Sequence, residues 1–176
     1  FGPDGDIYIC DNQAWSGAPE LQFKGRMLRL RIRDNKVVKT TVVAKNMEHP
    51  NGVRIRDNYM YVTQSLMTKV KDPSGLLVSG VYRFALDDEN IEVSNTLDDE
   101  NLFTTFITYN KEVQYGADGI EFDPKGNLYV GNFGDGAVHK IVLSEDGSVK
   151  ENFVWAKDPD QLQSTDGMIM DDNGNL

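Results

Sequence analysis

Three dipeptides put oxygen-bearing side chains at matching points of a repeated pattern: Asn51-Gly52, Asp118-Gly119 and Asp166-Gly167, each followed by a short apolar run such as Gly119-Ile-Glu-Phe. Three more polar residues, Asp11, Gln64 and Asn132, come four residues after the equivalent apolar positions Ile7, Met60 and Leu128. In an antiparallel hairpin the start of the first strand and the end of the second lie at the same end. All six residues are therefore expected at one face, with the innermost strands aiming Asn51, Asp118 and Asp166 at a central channel. Carboxylates and amides without thiols or paired histidines are the ligand chemistry of a hard cation. A competing explanation stays open, because Asx-Gly dipeptides are also ordinary turn formers.

The elements that must carry these residues are short and repeated. Phe1-Gly-Pro-Asp-Gly-Asp-Ile-Tyr-Ile, Ile55-Arg-Asp-Asn-Tyr-Met-Tyr-Val, Phe122-Asp-Pro-Lys-Gly-Asn-Leu-Tyr-Val and Met170-Asp-Asp-Asn-Gly-Asn-Leu each read as a strand end, a tight turn and a new strand. Alternating, β-branched segments follow at Arg26 to Ile32, Val37 to Ala44, Val81 to Leu86, Ala137 to Leu143 and Val149 to Trp155. The Asx-Gly interval is 67 residues and then 48. A propeller blade takes about 40 to 50 residues. The longer interval thus calls for an insertion, placed at Leu66 to Ser79, and Asp98 to Phe106 reads as a short helical or irregular connection. No helical periodicity is sustained. The expected fold is all-β, a propeller of four-stranded antiparallel blades of which the chain covers about three and a half.

Composition narrows the function classes. With 18 basic and 28 acidic residues the net charge is −10, which argues against a phosphate-tracking surface and leaves nucleic acid a poor partner. No apolar run is long enough for a membrane helix. Cys10 is the single cysteine, read as a small strand residue rather than a nucleophile. His139 reads as a strand side chain, whereas His49, just before Pro50-Asn51-Gly52, can border the site. Neither has a recognisable Ser or Cys partner for a triad. Asp171-Asp-Asn-Gly resembles the opening of a Ca2+ loop and is better explained as a hairpin turn. Compartment and oligomeric state stay open.

His49-Pro-Asn-Gly-Val-Arg-Ile with Tyr59-Met-Tyr-Val-Thr, and then Gly116-Ala-Asp-Gly-Ile-Glu-Phe-Asp-Pro-Lys-Gly-Asn-Leu-Tyr-Val-Gly, resemble successive blade motifs of the gluconolactonase, regucalcin (senescence marker protein) and luciferin-regenerating family. The resemblance implies a six-bladed propeller with one divalent metal in its channel, Ca2+ foremost, with Zn2+ or Mg2+ as alternatives. It implies Asn51 as a metal ligand and Asp118 as a ligand that also serves as general base. Asp11 matches a ligand position of the related bacterial lactonases and paraoxonases. The family's glutamate ligand falls in a blade before Phe1, and Asp166 matches no known ligand. The implied activity is hydrolysis of a small-molecule lactone or ester, the cation polarising the carbonyl while Asp118 activates water. A carboxylate on a cation is a weak base unless burial or another carboxylate offsets that effect. The rival expectation is a non-catalytic NHL-like propeller that binds a protein or ligand, its Asx-Gly motifs serving only the backbone.

Overall fold

A computed structural model describes residues 1–14, 17–158 and 160–176. In chain order the strands are β1 (Ile7–Asp11), β2 (Gly25–Arg33), β3 (Lys36–Met47), β4 (Pro50–Arg56), β5 (Tyr59–Gln64), β6 (Leu77–Ala85), β7 (Ile91–Glu92), β8 (Leu102–Thr108), β9 (Ala117–Phe122), β10 (Leu128–Asn132), β11 (Ala137–Leu143) and β12 (Val149–Lys157). They form three four-stranded sheets in the orders β1-β2-β3-β7, β4-β5-β6-β8 and β9-β10-β11-β12. Pro19–Leu21 forms a 3-10 turn, and among the described residues no helix is long and apolar enough to cross a membrane.

The second and third sheets are the antiparallel meanders that the sequence calls for, and they stand to each other as consecutive propeller blades do. Their first strands, β4 and β9, pack side by side. Strand β5 explains the layering. Its residues alternate between faces, so Met60 and Val62 join one apolar cluster with Met27, Met47, Tyr82 and Phe84, while Tyr61 joins another with Val81, Phe106, Ile120, Leu128 and Ile141. A strand buried on both faces needs a nearly continuous apolar run, which Tyr59-Met-Tyr-Val supplies. Each of the large side chains buried this way contributes about 1.5–3 kcal/mol.

The turns carry the chemistry expected of them. Asp34 and Asn35, between β2 and β3, have φ of 50° and 58°, the pair of left-handed residues that a tight type I′ hairpin requires. Gly126, between β9 and β10, has φ of 89°.

Four expectations are corrected. Asp98 to Phe106 is not a helical connection: after a turn over 97–101 it enters β8, the outer strand of the second sheet. The insertion ends earlier than Ser79, since Leu77 to Ser79 already belong to β6. The first sheet is not wholly antiparallel, because two-residue β7 pairs parallel to β3. Finally, the turn at Asp171 closes through Asp171 N to Asn175 O (2.8 Å) and Gly174 N to Asp171 O (3.0 Å), yet no described residue beyond Lys157 joins a strand.

Candidate active site

The Asx-Gly dipeptides of β4 and β9 are not turns. Between the pairs Pro50–Gln64 and Val53–Val62, the two residues Asn51 and Gly52 oppose the single Thr63. Between Ala117–Asn132 and Ile120–Val130, Asp118 and Gly119 oppose the single Gly131. Each dipeptide is thus the two-residue side of a β-bulge, a device that bends a strand and re-aims a side chain. The glycines serve close approach. A Cβ on Gly52 would stand 2.7 Å from the carbonyl oxygen of Asp118, and one on Gly119 would stand 1.8 Å from that of Asp166. Asp118 and Asp166 are therefore each seated against the glycine of the dipeptide before it. Thr63 stitches the first junction, its hydroxyl donating to Asp118 O at 2.6 Å and accepting from Gly52 N at 2.7 Å. Ser65 donates to Ala117 O at 2.7 Å, and Ser79 accepts from Ala117 N at 2.9 Å.

This stacking brings Asn51, Asp118 and Asp166 to one cavity of about 490 Å³, which Tyr115 and Phe133 also line. Asp118 is 3% exposed. Burial, then the charge of Asp166, then a hydrogen bond shared with Asp166 raise its carboxyl to about 7. The Asn51 amide nitrogen lies 3.4 Å from Ser65 Oγ and 3.5 Å from the Tyr115 hydroxyl. Burial pushes Tyr115 up to about 12, and the charges of Asp118 and Asp166 push the same way. Its hydroxyl is 2.8 Å and 3.0 Å from the two ring nitrogens of His49, and the rings meet edge to face. The Asn12 amide also reaches His49, at 2.8 Å and 2.9 Å. His49 itself is buried, which lowers its pKa.

Of the proposed metal ligands the structure unites Asn51 with Asp118 and adds Asp166, but it does not bring Asp11 to them. Asp11 lies directly across from Arg26 in the β1–β2 ladder, and Arg26 Nε donates to its carboxylate at 2.8 Å. Gln64 and Asn132 are also taken up structurally. Gln64 accepts from Glu48 N and donates to Asn95. Asn132 accepts from Thr108 and donates to Ile107 O, tying the third sheet to β8. His139 packs on Phe106 and meets Asn152, as a strand side chain should, and burial raises the Cys10 thiol to about 12, away from nucleophilic use.

Five residues of the cavity wall, Glu112, Val113, Gln114, Tyr115 and Phe133, escaped the sequence reading. Tyr115 precedes the Asp118 bulge much as His49 precedes Asn51, and that shared placement ahead of the dipeptide was the available signal. Phe133 follows the end of β10 and carries no signal of its own.

The donor chemistry fits a hard divalent cation: one amide oxygen and two carboxyls whose mutual repulsion a cation would relieve. Among the described residues no group of three or more His, Cys, Asp or Glu side chains is clustered for a metal ion, so the set rests on two carboxyls and an amide.

No family model matches this sequence, and no curated protein matches it. Among solved structures, a luciferin-regenerating enzyme is similar at a TM-score of 0.40 and 20% identity, over 86% of this chain and 43% of the other. A nidogen/laminin complex is similar at 0.34 and 13%, over 88% of this chain and 62% of that one. The chain thus spans less than two thirds of either, and likenesses this distant do not bear on chemistry.

Proposed function

We propose that this chain forms part of a six-bladed propeller that hydrolyses lactones or related esters at the bulged ends of β4 and β9. Asn51 and Asp118, with Asp166 in place of the expected Asp11, would hold a divalent cation, Ca2+ foremost. The observation that carries this reading is Asp118, a buried carboxyl raised to about 7 against a second carboxyl. Both influences needed to keep a metal-associated carboxylate basic, burial and a like-charged neighbour, act on it. A bound cation would polarise the lactone carbonyl and stabilise the oxyanion. Asp118 then accepts a proton from water as the water oxygen bonds to the carbonyl carbon. The ring C–O bond breaks, the leaving oxygen takes up a proton, and the hydroxy acid departs. Asn51, which cannot accept a proton, serves only to bind and orient.

A non-catalytic propeller is the alternative, and the engagement of Asp11 by Arg26 favours it, since that removes one expected ligand. The two separate in lactone hydrolysis followed across a Ca2+ titration. The hydrolase account expects ion-dependent turnover, with Asn51→Ala needing more Ca2+ but recovering part of its activity at saturation. Absence of turnover at every ion concentration moves the reading to the binding module.

A further inference from the structure

The arginines of this chain are not paired alike. Arg26, Arg29, Arg31, Arg33, Arg54 and Arg56 each stand within 4.0 Å of a carboxylate. Arg83, half-buried on β6, has no carboxylate of the described residues that near, in a protein whose net charge is −10. It is held by other means. Its guanidinium lies over the rings of Tyr59 and Phe103 at 5.0 Å and 4.9 Å, and Nη1 donates to Gly147 O at 2.8 Å. Arg56 is only loosely paired, its Nε 3.7 Å from Asp57 Oδ2, and it rests on the ring of Phe122 at 5.4 Å. Gly126 makes room for it, since a Cβ there would stand 2.7 Å from Arg56 Nη2.

Both guanidiniums open on one cavity of about 390 Å³ at the turn end of the second and third sheets, and Lys125 of the β9–β10 turn lines it too. Tyr61 lies between them: burial raises its hydroxyl, while a bond from Arg83 and the charges of Arg83 and Arg56 act the other way. The carboxylates of the same wall stand at its rim. Asp57 is 83% exposed, and Glu145 and Asp146 are exposed as well. Asp146 Oδ1 already accepts from Ser148 N at 2.9 Å and Ser148 Oγ at 2.6 Å. A guanidinium fork matches the oxygens of a phosphate group, and one packed on aromatic carbon has shed part of its water. We infer that this cavity binds a phosphate-type oxyanion, held by Arg83 and Arg56 from the second sheet and by Lys125 from the third. The bound anion ties two blades together at the end opposite Asp118, whatever chemistry Asp118 performs. The overall charge works against any anion, so binding has to come from these three groups.

Calorimetric titration of the intact protein with inorganic phosphate, at fixed ionic strength and with divalent ions removed so that none at Asp118 recruits the anion, tests the site. Saturable binding with a Kd of about 1 mM or tighter is expected, weakened about tenfold or more by Arg56→Gln and by Arg83→Met. Lys125→Gln should weaken it by about threefold, a point charge contributing less than a fork. Arg26→Gln, which removes a charge paired with Asp11 elsewhere, should leave it within about twofold. Arg83 also packs between two rings, so Arg56→Gln and Lys125→Gln carry the result if Arg83→Met does not fold. Acetate should bind at least about tenfold more weakly than phosphate. No saturation by about 10 mM phosphate, or a weakening by Arg26→Gln equal to that by Arg56→Gln, overturns the inference. Acetate binding as tight as phosphate overturns the phosphate class.

Discussion

The two ends of the same blades use the same residue types for opposite purposes. At the turn end, Asp123 accepts from the backbone and side chain of Asn127 at 2.8 Å and 2.7 Å, and Asp171 does likewise with Asn175 at 2.8 Å and 2.9 Å. For Asp123, burial raises the carboxyl but the bonds from Asn127 outweigh it and hold it below the usual range; Asp171 is lowered first by its bond from the Asn175 side chain. At the bulged end, no N–H among the described residues donates to the carboxyl of Asp118, whose neighbour is another carboxyl. A carboxylate surrounded by amides has finished its work in the backbone. One left against a like charge is poised to hold a cation or a proton. Asp118 thus belongs to the second kind, and the glycines of the β4 and β9 dipeptides answer to the close approach of neighbouring backbone rather than to a turn.

The largest difference between the ends should appear in turnover. Asp118→Asn keeps the shape and a weakened ion site but cannot take a proton, so kcat for a lactone should fall on the order of 10² to 10⁴ at saturating Ca2+. Full turnover by that variant would erase the distinction.

Next in size is a pH effect on stability. The carboxyl of Asp118 is near 7 when folded and near 3.9 in a free chain, so the folded state holds the proton more tightly. Stability from this group is complete below about pH 4 and is lost as pH rises toward 7. In chelator, urea unfolding should show about 3 kcal/mol lost between pH 5 and pH 8 from this group, as the difference between the unmutated protein and Asp118→Asn. A pH profile shared by both proteins would contradict it.

The smallest effect belongs to the turn end. Asp123→Ala removes bonds to Asn127 and should cost about 1 kcal/mol of unfolding free energy while leaving kcat within about twofold. A large loss of turnover with intact stability would mean that the two ends are not separate in function.

Much of this comparison could be read in the chain, and the parts that could not have physical reasons. Strands β5 and β11 fall where alternation and flanking turns put them, because tight two-residue and four-residue turns fix register. The recurrence of Asn51 and Asp118 likewise marks one structural position, the long side of a bulge, and Asp166 reaches the same cavity from outside any strand. Asp11 was misplaced because β1 and β2 are joined by a long connection, residues 12–24, which leaves register free, and the register adopted sets Asp11 opposite Arg26. Strand β8 hid behind the polar stretch Asp98-Asp-Glu-Asn, whose turn runs directly into it. The bulges were invisible because a spacing counts residues in one strand, whereas a bulge is a mismatch between two.

Whether Asp118, beside Asp166 and Asn51, exchanges its proton for a cation is read most directly by calorimetric Ca2+ titration at pH 6 in buffers of different ionisation enthalpy. Because a ligand must be deprotonated to bind, uptake of each ion should release close to one proton, and Asp118→Asn should bind more weakly and release none. Binding without proton release, or no binding heat together with a melting temperature that chelator leaves unmoved, would contradict the account.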